Sequence, residues 1–93
     1  MRFEWDEAKA RRNLREHGVS FREASLAFDD PDAIEGYDES HSKHESRQWL
    51  LGMSPRSRVL LVVFTERHSD AIRIITARKA TLEECELYED EKG

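Results

Sequence analysis

Apolar residues recur along the chain with two periods, and the changes between them mark out its elements. Met1, Phe3 and Trp5 alternate with polar residues, which predicts a short first strand. Asp6 stands where it can cap a helix over 7–17, a stretch rich in good helix formers, and Gly18 supplies a left-handed stop. Ser20 opens a second helix through a capping box. Glu23 takes its third position, and Val19 packs on Ala24 as a staple. Phe21, Ala24 and Phe28 then line one helical face, and Pro31 ends the helix by disfavouring helical geometry at Asp30.

From there the period shortens to two. Residues 32–39 predict a short strand with Ala33 to Tyr37 as its apolar part, and 39–47 form a polar connection. In Arg47 to Met53, Trp49, Leu51 and Met53 share one strand face and Leu50 takes the other. Pro55 turns the chain into the unbroken apolar run Val59 to Phe64, and a short loop leads into Ala71 to Ala77. Thr81 and Glu84 form a further capping box, after which Leu82, Cys85 and Tyr88 stripe a closing helix. The pattern predicts one α+β domain over residues 1–93, with two N-terminal helices packed on an antiparallel meander and a C-terminal helix. Trp5 and Trp49 both fall on apolar alternations and are expected in the core.

Composition sharpens this picture in three places. Cys85 is the only cysteine, so an internal disulfide and a thiolate metal cluster are excluded, and it reads as a small apolar helix residue. No apolar run approaches the length of a membrane span, and the N-terminus lacks a signal-peptide core, which predicts a cytoplasmic protein. The net charge of −5 hides an uneven distribution. Residues 47–79 carry seven Lys/Arg against two Asp/Glu, whereas 21–46 carry two against eight and 80–93 one against six. A basic block therefore lies between acidic ones. The acidic end, 86–93, is expected to extend into solvent.

The cations within and after the Ala71–Ala77 strand are the least ordinary feature. Under strict alternation Arg73, Ile75, Ala77 and Lys79 share one face, and Ile72, Ile74, Thr76 and Arg78 the other. Arg73 is then expected to pair with an acidic helix residue in the interior. Arg78 and Lys79, at the strand end, suit either an anion site or the capping of a sheet edge. In a meander Arg47 and Arg67 fall at one end of the sheet and Arg78 at the other. Between the strands, His41, His44 and Glu45 lie beside Lys43, the residue types of acid–base chemistry and also of a solvated loop. His41 and His44 have no third histidine at a useful spacing, so no metal site is expected.

Two motifs resemble those of a known family. The pattern W-D-x-x-K-x-x-x-N-x-x-x-H-G-V-S-F spans Trp5 to Phe21, and R-I-I-T-A-R-K-A-T spans Arg73 to Thr81. Together with FDDPDA, DESHSKHESRQWLLGMS and VLLVVFTER they resemble the BrnT family of bacterial toxins over residues 2 to 89. The resemblance implies a RelE-like fold and a ribonuclease toxin of a type II toxin–antitoxin pair. It implies metal-independent RNA cleavage that inhibits translation, with no cofactor, and a ribbon-helix-helix antitoxin through which alone the toxin meets DNA. On this reading Arg47, Arg67 and Arg78 stabilise phosphate charge, and His44 and Glu45 exchange protons. Lys43, Lys79 and Tyr88 contact RNA. The alternative is a non-catalytic module that binds its antitoxin and acts in promoter autorepression.

Overall fold

The computed structural model describes residues 1–38, 46–68 and 70–92. Its order is β1 (Arg2–Glu4), α1 (Glu7–His17), α2 (Phe21–Leu26), a short 3-10 turn (Ala27–Asp29), β2 (Ile34–Tyr37), β3 (Arg47–Met53), β4 (Val59–Arg67), β5 (Ala71–Lys79) and α3 (Leu82–Lys92). Strands β2 to β5 form the expected antiparallel meander. β1 departs from it. It pairs parallel with β5 at the far edge, so the sheet is mixed and its order is β1-β5-β4-β3-β2. Between the first two strands, α1 and α2 carry the chain over one face of the sheet from the β1 edge to the β2 edge.

That helix-covered face, the inner face, holds the core. Val19, Phe21 and Ala24 pack on Leu60, Val62, Ile74 and Ala77, while Ala27 joins Leu50, Phe64 and Ile72. Phe28 links the two groups edge-on, with ring centroids 5.0 Å from both Phe3 and Phe64. Trp5 meets Phe21 at 6.0 Å, as expected of a core residue, whereas Trp49 belongs to neither group.

The helix ends follow local chemistry. Asp6 accepts from the Lys9 amide at 3.0 Å, and Gly18 closes α1 at φ 69°, a conformation that suits a residue without a Cβ. Ser20 accepts from the Glu23 amide, the first half of the expected box. The second half is replaced. The Glu23 carboxylate turns to Arg58, at 2.6 and 2.7 Å, and accepts from the Ser54 hydroxyl at 2.7 Å. Glu23 is buried, and this pair ties α2 to the β3–β4 turn.

α1 is held differently. Its one buried residue is Asn13, and Leu14 beside it is exposed. The Asn13 amide donates to the carbonyls of Val19, at 2.9 Å, and Ala77, at 2.8 Å, and its oxygen accepts from the Ala77 amide and the Thr76 hydroxyl at 3.2 Å. β1 pairs with β5 only over Ala71 to Arg73, so beyond it the edge of β5 is bare of strand. The Asn13 side chain takes the place of a neighbouring strand there, satisfying both backbone groups of Ala77.

α3 does not extend into solvent as expected of the acidic end. It is helical to Lys92 and rests against the other face of the sheet, the outer face. The Thr81–Glu84 box forms in full. Of the expected stripe, Tyr88 is buried and Cys85 half-buried, but Leu82 is exposed.

Two predictions rest on these contacts. Asn13→Ala should destabilise the fold by about 3 kcal/mol, since each buried group left unpaired costs about 1–3 kcal/mol. Asn13→Asp should be worse relative to the native chain near neutral pH than in mild acid, because only the protonated carboxyl can donate; urea midpoints compare the variants. Glu23 should govern acid sensitivity. Its carboxyl lies below its ordinary value of 4.5, held there first by Arg58 and then by Ser54 against the cost of burial. The stability it contributes is complete above that value and is lost as pH falls through the lowered one. Glu23→Gln should cost about 3 kcal/mol near neutral pH by leaving the Arg58 charge unmatched, and should flatten the acid limb of the unfolding curve.

Candidate functional site

The outer face is organised by an irregularity in β5. Val63 pairs with Thr76 but Phe64 pairs with Ile74, so Ile75 is an extra residue in the ladder. Such a bulge reverses the alternation of every residue beyond it. Ile72 and Ile74 point inward, and after the bulge Ala77 points inward in turn. Arg73 and Arg78, expected on opposite faces, therefore share the outer one.

The registers arrange this face in rows across the strands. One row runs Glu4, Arg73, Thr65, Arg47, from β1 through β5 and β4 to β3. The next runs Thr76, Val63, Trp49, Gly36, and a third runs Arg78, Leu61, Leu51, Ile34. Neighbouring strands lie about 4.8 Å apart, so Arg47 and Arg73, on either side of Thr65, stand roughly 10 Å apart at their backbones. Arg67 lies one step beyond the first row and meets Glu4 at 3.7 Å.

Arg73 corrects an expectation. Among the described residues it forms no ion pair; instead it adds to the lowering of the exposed Asp6 carboxyl, a lesser cause than the Lys9 amide. It is a half-buried cation on the open face, not the buried half of a structural pair. The signal that could have revealed this is the doublet Ile74-Ile75 followed by the small Ala77, which breaks strict alternation.

The remaining candidates divide. Arg47, Arg67 and Arg78 all lie on the outer face, with Arg47 and Arg67 toward one end and Arg78 toward the other, as the meander required. Arg78 forms a two-pronged pair with Glu84 of α3, at 2.8 and 3.0 Å. That pair, more than burial opposes it, holds the Glu84 carboxyl below its ordinary value and raises the Arg78 guanidinium. Lys79 is in phase with Leu60 of the inner side and does not join the arginines. Tyr88, expected on the RNA surface, is 1% exposed and donates to Asp30 at 2.5 Å. Its phenol is raised by that burial first and by Asp30 second. Burial works against the Asp30 carboxylate too, but hydrogen bonds from Tyr88, Met53 and Asp32 outweigh it and leave the group lowered. Tyr88 is thus the anchor that fastens α3 to Asp30, which in turn accepts from the Met53 amide at the end of β3. Lys43, His44 and Glu45 lie outside the described residues, just before the start of β3.

Chemically, the face can bind an extended polyanion: fixed guanidiniums on rigid strands, with carboxylates at Glu4 and Glu84 beside them. Among the described residues no group of His, Cys, Asp or Glu is arranged to hold a metal ion, and no helix is long and apolar enough to cross a membrane.

Comparison with known proteins finds similarity of two kinds. A family model described as "Ribonuclease toxin, BrnT, of type II toxin-antitoxin system" matches residues 5–84. The crystal structure of the Brucella abortus ribonuclease toxin, BrnT, is similar in fold, with a TM-score of 0.67 and 24% identity over 87% of this chain and 97% of that one. No curated protein matches the sequence.

Proposed function

The chain belongs to the BrnT family of ribonuclease toxins from type II toxin–antitoxin systems, and from that premise we propose that its outer sheet face binds and cleaves RNA without a metal. Cleavage inhibits translation in the cytoplasm, and a ribbon-helix-helix antitoxin, which alone contacts DNA, neutralises the toxin. The observation that carries the reading is the row of Arg73 and Arg47 on one face with Arg67 beside it.

The chemistry asks for three things: removal of the 2′-hydroxyl proton, protonation of the leaving 5′-oxygen, and stabilisation of the extra charge on phosphorus. Guanidiniums serve the third because they stay charged at every relevant pH and hold two phosphate oxygens at once. Attack of the 2′-oxygen on phosphorus breaks the bond to the 5′-oxygen, leaving a cyclic phosphate and a 5′-hydroxyl. His44 and Glu45, adjoining β3 in sequence, are the proposed proton carriers. Arg78 contributes once a phosphate competes with Glu84 for it.

One observation favours the second reading, a module that only binds its antitoxin. Arg78 and Arg67 are already matched by Glu84 and Glu4, which lowers the attraction of the face for RNA. The purified chain decides between them. It should cleave single-stranded RNA in excess chelator, giving 5′-hydroxyl and cyclic-phosphate ends. Arg73→Ala and Arg47→Ala should each slow cleavage by about 100-fold, the effect of removing one stabilising donor, with little change in melting temperature. Strict dependence on an added divalent ion would sink the mechanism, and absence of cleavage with intact antitoxin binding would establish the module.

A further inference from the structure

On the outer face, spanning the row of Trp49 and the row of Arg78, lies an apolar groove of about 200 Å³. Trp49 forms one side, Leu51, Leu61 and Val63 the floor, and Leu87 and Glu84 of α3 the opposite wall, with Asp38 completing the lining. We infer that this groove is a nucleobase subsite in which one base of a bound RNA strand stacks on the Trp49 indole. The inference rests on the proposed RNA binding and adds to it the residue that receives a base.

Three features support this occupant. The first is the placing of Trp49 itself. It shares a row with Gly36, and a Cβ built on Gly36 would lie 2.6 Å from the indole ring. The ring therefore lies down over the glycine, fixed against backbone, and is half-buried outside both core groups. An aromatic surface fixed in this way loses little freedom when a base stacks on it. The second is size. The groove is smaller than the roughly 300–1,000 Å³ typical of drug-sized ligands, which suits a single planar ring system. The third is charge. Arg47 is two residues from Trp49 on the same strand face, about 7 Å away, so a nucleotide whose phosphate meets Arg47 has its base within reach of the indole. Two carboxylates line the groove and neither is bare: Glu84 is matched by Arg78, and Asp38 is engaged as well, so the groove does not repel a strand as a free carboxylate would. An apolar slot flanked by guanidiniums on two sides complements a base between phosphates better than it does an apolar peptide side chain.

The test uses the full chain and a fluorescent, fully 2′-O-methylated single strand of mixed sequence, which lacks the attacking hydroxyl and stays intact. Trp49→Ala should weaken binding about tenfold and Trp49→Phe much less, in keeping with the strength of base–aromatic stacking. A matching strand of abasic sugars should bind the native chain about as weakly as the intact strand binds Trp49→Ala. This comparison needs no variant and stands even if Trp49→Ala folds poorly. Equal binding of intact and abasic strands by the native chain would overturn the subsite while leaving RNA binding in place. No binding of either strand would overturn the RNA reading with it. If Trp49→Ala bound the strand normally but lost its protein antitoxin, the groove would be a protein-docking site and the inference would fail.

Discussion

The contact of Asn13 with Ala77 is the constraint on which the arrangement turns. α1 buries no apolar side chain fully, so it cannot be held by the hydrophobic effect alone. The Asn13 amide holds it instead, and the same amide closes the part of the β5 edge that β1 is too short to cover. That edge begins where the bulge at Ile75 has turned the strand. The edge groups of Ala77 have no strand partner there, and a side chain that both donates and accepts supplies them. Helix attachment and edge protection are therefore one problem with one solution.

The phase of β5 also creates the arginine-bearing face. With regular alternation Arg73 and Arg78 would project to opposite sides, and one of them would enter the core between sheet and helices. The extra residue at Ile75 puts Ala77 inward, where it is fully buried, and sends both arginines outward. Arg73 then lines up with Arg47 across Thr65. A rigid sheet presents these charges in fixed positions, so little reorganisation is needed when an anion arrives.

An acidic protein that binds a polyanion must keep its own carboxylates from competing. Here several are bound in specific pairs: Glu23 with Arg58, Glu84 with Arg78, Glu4 with Arg67. The first is buried and structural. The other two lie on the outer face, where an arriving phosphate would have to compete with a carboxylate for each guanidinium. α3 joins these roles, for it carries Glu84 to Arg78, walls the Trp49 groove with Leu87, and is fastened by Tyr88 to Asp30.

Much of this was legible in the sequence because it depends on local chemistry. The Asp6, Ser20 and Thr81 caps, the Gly18 stop, the break at Pro31 and the antiparallel pairing of β2 to β5 all follow from neighbours a few residues apart, as do the motifs that mark the family. What the tertiary structure alone decided depends on distant residues. The Asn13–Ala77 contact joins positions 64 apart, and Glu23–Arg58 joins positions 35 apart, so neither leaves a local pattern. The parallel seat of β1 joins the first strand to the last. Trp49 and Leu51 share a strand face that the sequence marked as apolar, yet only the position of α1, α2 and α3 determined which side of the sheet that face would occupy. The arginine row shows the limit most clearly: strand direction has a period of two, so one extra residue in β5 inverts every side chain beyond it, and the register against β4 is where that residue becomes visible.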